Sequence, residues 1–138
     1  RMDASDANKA GDWTQGIQDA MVRCRERWRT GVSSGQIFLM EPTIDTTNLE
    51  TRMYALWCFL MFQWEKSYFN LATPTGIATN WFDEWDTVLG DATGDPFTFG
   101  SIWFRYFEEK LVAVNPTAST VSEGGVTLLK FSGVFISL

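Results

Sequence analysis

Histidine is absent from all 138 residues of this chain. That removes Ser-His-Asp and Cys-His catalysis, imidazole-ligated zinc or iron, and the usual proton shuttle near neutral pH. Cysteine occurs only as Cys24 and Cys58. Two thiols make no disulfide framework and do not complete a structural zinc site by themselves. Both have apolar neighbours, so they are expected as buried free thiols in a reducing, cytoplasmic setting. Phosphate-binding glycine loops are missing too: neither G-x-x-x-x-G-K-[ST] nor G-x-G-x-x-G occurs. The polar opening "RMDASDANKAGDW" has none of the apolar stretch of a secretory signal, and Arg1 before Met2 carries little weight. No cofactor is expected, and the chain reads as non-enzymatic.

Long hydrophobic runs are scarce, with one exception, "MYALWCFLMF" at 53–62. Charged residues bracket it at Glu50, Arg52, Glu65 and Lys66. A membrane span needs about 20 apolar residues, so no membrane insertion is expected. As a helix the run is apolar on every side, and such a helix must be surrounded. Either it is the centre of a small bundle, or a second subunit closes one side. Trp57 and Trp64 are the candidates for that interface, or for the lining of an apolar pocket.

What the chain has in abundance is aromatic rings: 15% of residues, including seven Trp and eleven Phe. With 45% hydrophobic and 20% charged residues, the composition is that of a folded globular protein. A domain of this size has difficulty hiding so many rings, and a contiguous exposed group would mark an interface. The net charge of -6 disfavours general binding to nucleic acid or anionic membranes.

Along the chain, residues 1–11 read as a loose N-terminal segment, 12–116 as a helical core domain, and 117–138 as a C-terminal β arm or hairpin. Asp12 with Gln15 is a capping-box pattern. Trp13, Ile17, Met21, Cys24 and Trp28 follow at helical steps, and Gly31 is placed as the stop. "QIFLM" at 36–40 reads as a short strand. Thr47 and Glu50 form a second capping box and open the helix that carries the apolar run. Thr73-Pro74 starts a third helix through Ile77, Trp81, Trp85, Val88 and Leu89, ending at Gly90. Asp95-Pro96 starts a fourth through Phe99, Trp103, Tyr106 or Phe107, and Leu111, ending at Asn115-Pro116. Beyond Thr117, "VTLLKFSGVFISL" is rich in β-branched and aromatic residues, and Ser132-Gly133 is a hairpin signal. The expected fold is therefore mainly α (α+β in a strict count): a compact four-helix domain with a short strand near 36–40 and a C-terminal hairpin or arm.

Two charged constellations stand out. Arg23, Arg25, Arg27 and Arg29 fall within seven positions at the end of the first helix, where the helix dipole favours cations. The same cluster is a candidate site for an anion or an acidic partner, with nucleic acid the weaker case. Asp83 and Asp86 on one expected helix, with Glu108 and Glu109 on the next, are weak candidates for a divalent cation, which wants several oxygens at once. The chain has one D-x-x-D and no E-x-x-E, and a solvated acidic face fits the pattern better.

The expected function is a soluble interaction or assembly subunit, such as a virion, phage or bacterial accessory component. It would self-associate through aromatic surfaces and a C-terminal strand. Val134, Ile136 and Leu138 lie on one face of that strand, and residues 126–138 are expected to reach a neighbouring subunit's sheet edge near Ile37 to Met40. The rival readings are a binding protein with a small apolar ligand in an aromatic-lined helical pocket, and a carboxylate enzyme using a divalent metal.

Overall fold

The computed structural model describes residues 21, 25–26, 28–31, 34–42, 44–73, 75–77 and 81–138. The chain divides into two compact units, Arg1–Asn80 and Trp81–Leu138. The expectations for residues 1–11, for Asp12, Gln15, Trp13, Ile17 and Cys24, and for Pro74 lie outside the described residues.

The first unit is organised by the apolar run. Helix α1, Leu49–Phe62, carries it, and the Asn48 side chain caps its start by accepting from Thr51 N at 3.1 Å. The cap is thus one residue later than Thr47, whose N–H and hydroxyl go instead to the Asp45 carboxylate. Strand β1, Phe38–Met40, runs parallel to β2, Ser67–Phe69. Backbone bonds extend that pairing on both sides, from Phe38 N to Lys66 O and from Ile44 N to Ala72 O, each 2.9 Å. A parallel pair needs a crossover, and α1 supplies it. Phe59 meets Phe69 at 5.1 Å between ring centroids, and Met40, Ile44 and Leu71 are buried. The helix is enclosed along most of its circumference, with nine of its fourteen residues buried. Tyr54 and Cys58 lie one turn apart within it, and burial pushes the Tyr54 phenol well above its ordinary value.

Before β1, Met21, Arg25, Glu26 and Trp28 to Gly31 are helical, as the sequence suggests, but Gly31 is not the stop. Gly35 is, with φ 67 and its N–H on Gly31 O at 2.9 Å. Gly31 instead makes room for a ring, since a Cβ there would lie 2.4 Å from the Trp64 indole. Past α1, a short hairpin of β3, Ala72–Thr73, and β4, Gly76–Ile77, is tied by the Thr73 hydroxyl, 3.1 Å from Gly76 O.

The second unit is a sheet, and here the four-helix expectation fails. Strands β5 (Phe97–Phe99), β6 (Ile102–Tyr106), β7 (Lys110–Asn115) and β10 (Ser132–Ser137) form one antiparallel sheet in the order β10-β7-β6-β5. Strands β8 (Val121–Glu123) and β9 (Val126–Leu128) form a separate hairpin. The molecule is not a helical bundle and not mainly α. Where the third helix was expected, β3 and β4 precede a four-residue 3-10 turn, Asp83–Asp86. Where the fourth was expected, β5, β6 and β7 stand.

The reason lies in the spacing. Ile77, Trp81, Trp85 and Leu89, like Phe99, Trp103, Phe107 and Leu111, recur every four residues, and four is compatible with both the helical and the extended period. The intervening residues decide. In "FTFGSIWFRYF" they include Ile102, Phe104 and Tyr106, β-branched and aromatic residues that suit a strand, and Gly100, with φ 58, turns the chain between β5 and β6. Six of the eight residues at 73–80, "TPTGIATN", are Thr, Pro, Gly or Asn, all poor helix formers, and only Ile77 and Ala78 are not among them.

The β8–β9 hairpin closes part of one sheet face. Leu128 packs with Ile102, Phe104 and Ala113, and Val134 joins from β10. Asn115 clamps the arrangement from within: its amide nitrogen donates to Ser119 O at 2.8 Å and Leu129 O at 2.8 Å, and its carbonyl accepts from Thr117. Arg105 is buried on the opposite face, its Nε on Gly94 O at 3.1 Å. Burial lowers its guanidinium pKa to about 10, with Asp95 opposing the shift.

Candidate functional site

The two outer strands of the sheet differ in what their backbones offer. Phe107 N donates to Lys110 O, and Leu138 N to Glu109 O. Bonded and non-bonded pairs alternate along an antiparallel ladder. From Leu138 and Glu109, the alternation assigns Ile136, Val134 and Ser132 to β7. The main-chain groups of the odd residues of β10, Gly133 and Ser137 among them, then face outward. On the other side, bonds from Phe97 and Phe99 point into the sheet, so Thr98 alone in β5 faces out, and the neighbouring Pro96 has no N–H to give.

Among the described residues, β10 has a sheet neighbour on one side only. Proteins usually blunt such an edge with charge, proline or a bulge. Residues 132–137, "SGVFIS", contain no charge and no proline, and their register against β7 is unbroken.

Side chains extend this edge into a surface. Tyr106, Leu111 and Ile136 lie in one row across β6, β7 and β10. Phe97 stacks between Phe104 and Tyr106, at 5.6 and 5.9 Å between centroids. Phe97 and Tyr106 are each 43% exposed and Leu138 is 67% exposed. This end of the face is apolar and open, whereas the Ile102 end is covered.

The residues singled out from sequence fall differently. Val134 and Ile136 share this face and are half-buried; Leu138 extends it. The strand expected to reach a neighbour is paired within its own chain, and its turn lies before Ser132, where Phe131 has φ 46. Trp57 is half-buried on α1. Trp64 is engaged internally, stacked on Phe38 at 5.3 Å with its Nε1 on Gln36 O at 3.2 Å. Arg25 is half-buried and Arg29 exposed; Arg23 and Arg27 lie outside the described residues.

The carboxylates serve local bonds. Asp86 accepts from Trp81 Nε1 at 3.0 Å, and Glu108 from Asp91 N at 3.1 Å. Asp83 and Glu109 are exposed. Among the described residues, no group of three His, Cys, Asp or Glu side chains could hold a metal ion. None of the described helices is long and apolar enough to cross a membrane. Compared with protein-family models and with curated proteins, the chain matches none.

The outward groups of Gly133 and Ser137, and the exposure of Phe97 and Tyr106, were missed from the sequence. The first could have been found in part, because a run of β-formers without charge or proline is visible as such. The second could not, since it depends on which half of the face the β8–β9 hairpin covers.

Proposed function

We propose that this protein is a non-enzymatic interaction and assembly subunit that binds an extended segment by strand addition along β10. The observation that carries it is the unguarded outer edge of that strand. Strand addition draws affinity from main-chain hydrogen bonds and selectivity from alternate side chains, and the Tyr106–Leu111–Ile136 row supplies apolar contacts beside the edge. The lack of histidine and the local engagement of Asp86 and Glu108 support a non-catalytic role.

The test is a fluorescein-labelled peptide with the sequence of residues 130–138, titrated with the protein and followed by anisotropy. Saturable binding that slows amide exchange at Gly133 and Ser137 is the expected result. Binding that leaves those amides unchanged would overturn this reading, as would no binding at all.

A further inference from the structure

The charge pattern and residue sizes along β10 say what that edge fits. At one end of the β7–β10 pair is the exposed turn with Glu108 and Glu109, beside Leu138; Lys110 follows, and the turn is net negative. At the other end, Lys130 stands exposed in the turn before Ser132. The strand between them is uncharged. An edge that is negative at one end and positive at the other is complementary to its own copy turned end for end. Antiparallel pairing would place the Lys130 turn of one copy near the Glu108–Glu109 turn of the other, two strand spacings or roughly 10 Å apart. A parallel arrangement would set like charges together.

We infer that the partner on this edge is a second copy of the chain, with the two β10 strands antiparallel about a two-fold axis at Phe135. The inference rests on the strand-addition reading above and names its partner. This register sets Gly133 opposite Ser137 of the partner subunit, so the outward groups of both are used. Other even shifts leave one of them beyond the end of the pairing. Small residues face each other at those positions. Val134 faces the partner's Ile136 on the apolar face, in the closely spaced, non-bonded type of pair, where β-branched side chains pack well. The product is a continuous sheet across both copies. The arrangement is isologous and closed, so it stops at two.

The full chain is followed by light scattering over a concentration series, with residue-resolved amide exchange. Ser137→Pro removes an outward N–H and leaves the main-chain bonds to β7 in place, losing besides it only the exposed Lys110 Nζ to Ser137 Oγ bond of 3.3 Å, which Ser137→Lys loses too. Ser137→Lys keeps the N–H and places a charge on the edge. Circular dichroism establishes that each variant is folded, and Ser137→Lys carries the test if Ser137→Pro is not. The expected result is twice the 15.7 kDa chain mass, concentration-dependent protection at Gly133 and Ser137, and a dissociation constant raised roughly tenfold or more by either folded variant. A monomer throughout the series overturns the second-copy inference. If that monomer still binds the labelled peptide at these amides, strand addition stands and only the partner is wrong; if it does not, both fail. An oligomer that survives in the folded variants, with these amides unprotected, associates elsewhere and also overturns it.

Discussion

Helix α1 and strand β10 are both apolar stretches, and they differ in what a single chain can do for them. The helix satisfies its own main chain, so only its side chains need company, and β1, β2 and their flanks provide much of it. The strand satisfies one side of its main chain through β7 and turns the other outward. An apolar helix can therefore be finished inside one subunit, whereas an edge strand without charge or proline needs something beyond its sheet. By this contrast, changes in α1 act on stability and changes along β10 act on association.

The largest effect is expected in the helix. Phe62 is fully buried and meets Trp28 at 6.4 Å between ring centroids. Phe62→Ala should cost about 3–5 kcal/mol, the range for deleting a large buried ring. Chemical denaturation measures the loss. The dissociation constant of the assembled form, measured where the variant is still folded, should not move. A large change in association with little loss of stability would reverse the roles assigned to the two stretches.

A smaller effect is expected at Asn115, which belongs to the sheet but acts inward. Its amide holds Ser119 O and Leu129 O, and its carbonyl holds Thr117, so it fixes the chain on either side of the β8–β9 hairpin. Asn115→Ala leaves buried acceptors without their donor, at about 1–3 kcal/mol. Denaturation should show that loss, and amide exchange should quicken first at Val121 to Leu128. If instead Gly133 and Ser137 respond first, the hairpin and the edge are not separate features.

How far the sequence foretold these regions follows from the same contrast. The helix was legible because ten consecutive apolar residues between charged brackets leave few alternatives; only its cap was displaced, from Thr47 to Asn48. The short strand at 38–40 was legible from its β-formers. The sheet at 97–115 was not, because four-residue spacings serve both periods and the aromatic residues between them were discounted. The turn before β10 was misplaced for a different reason. Glycine is the residue expected at positive φ, yet Phe131 adopts it, with its N–H on Thr117 O and the next hydroxyl, of Ser132, on Leu129 O. Those partners are distant in sequence or invisible to local propensity. The candidate site suffered likewise: an edge is a property of strand order, and no local pattern encodes strand order.

The smallest predicted effect probes direction along the edge. Glu109 and Lys130 are exposed and sit at opposite ends of the β7–β10 pair, so within one copy they are too far apart to attract appreciably. Antiparallel association brings each near the other's counterpart twice, once on either side of the two-fold. Exposed ion pairs contribute about 0.2–1 kcal/mol, and the separation here favours the low end. Lys130→Glu should therefore weaken association by a few-fold at low salt, and less at physiological ionic strength, where screening sets in at about 8 Å. Glu109→Lys in the same chain as Lys130→Glu restores opposite charges at both contacts and should return the dissociation constant towards that of the unaltered protein. Parallel strands would give a different pattern: Lys130 would face Lys130, so Lys130→Glu alone would merely exchange one repulsion for another, and the second change would restore nothing. Sedimentation equilibrium on the four combinations, at low and physiological salt, separates the two geometries, because only the antiparallel one makes the two substitutions compensate each other.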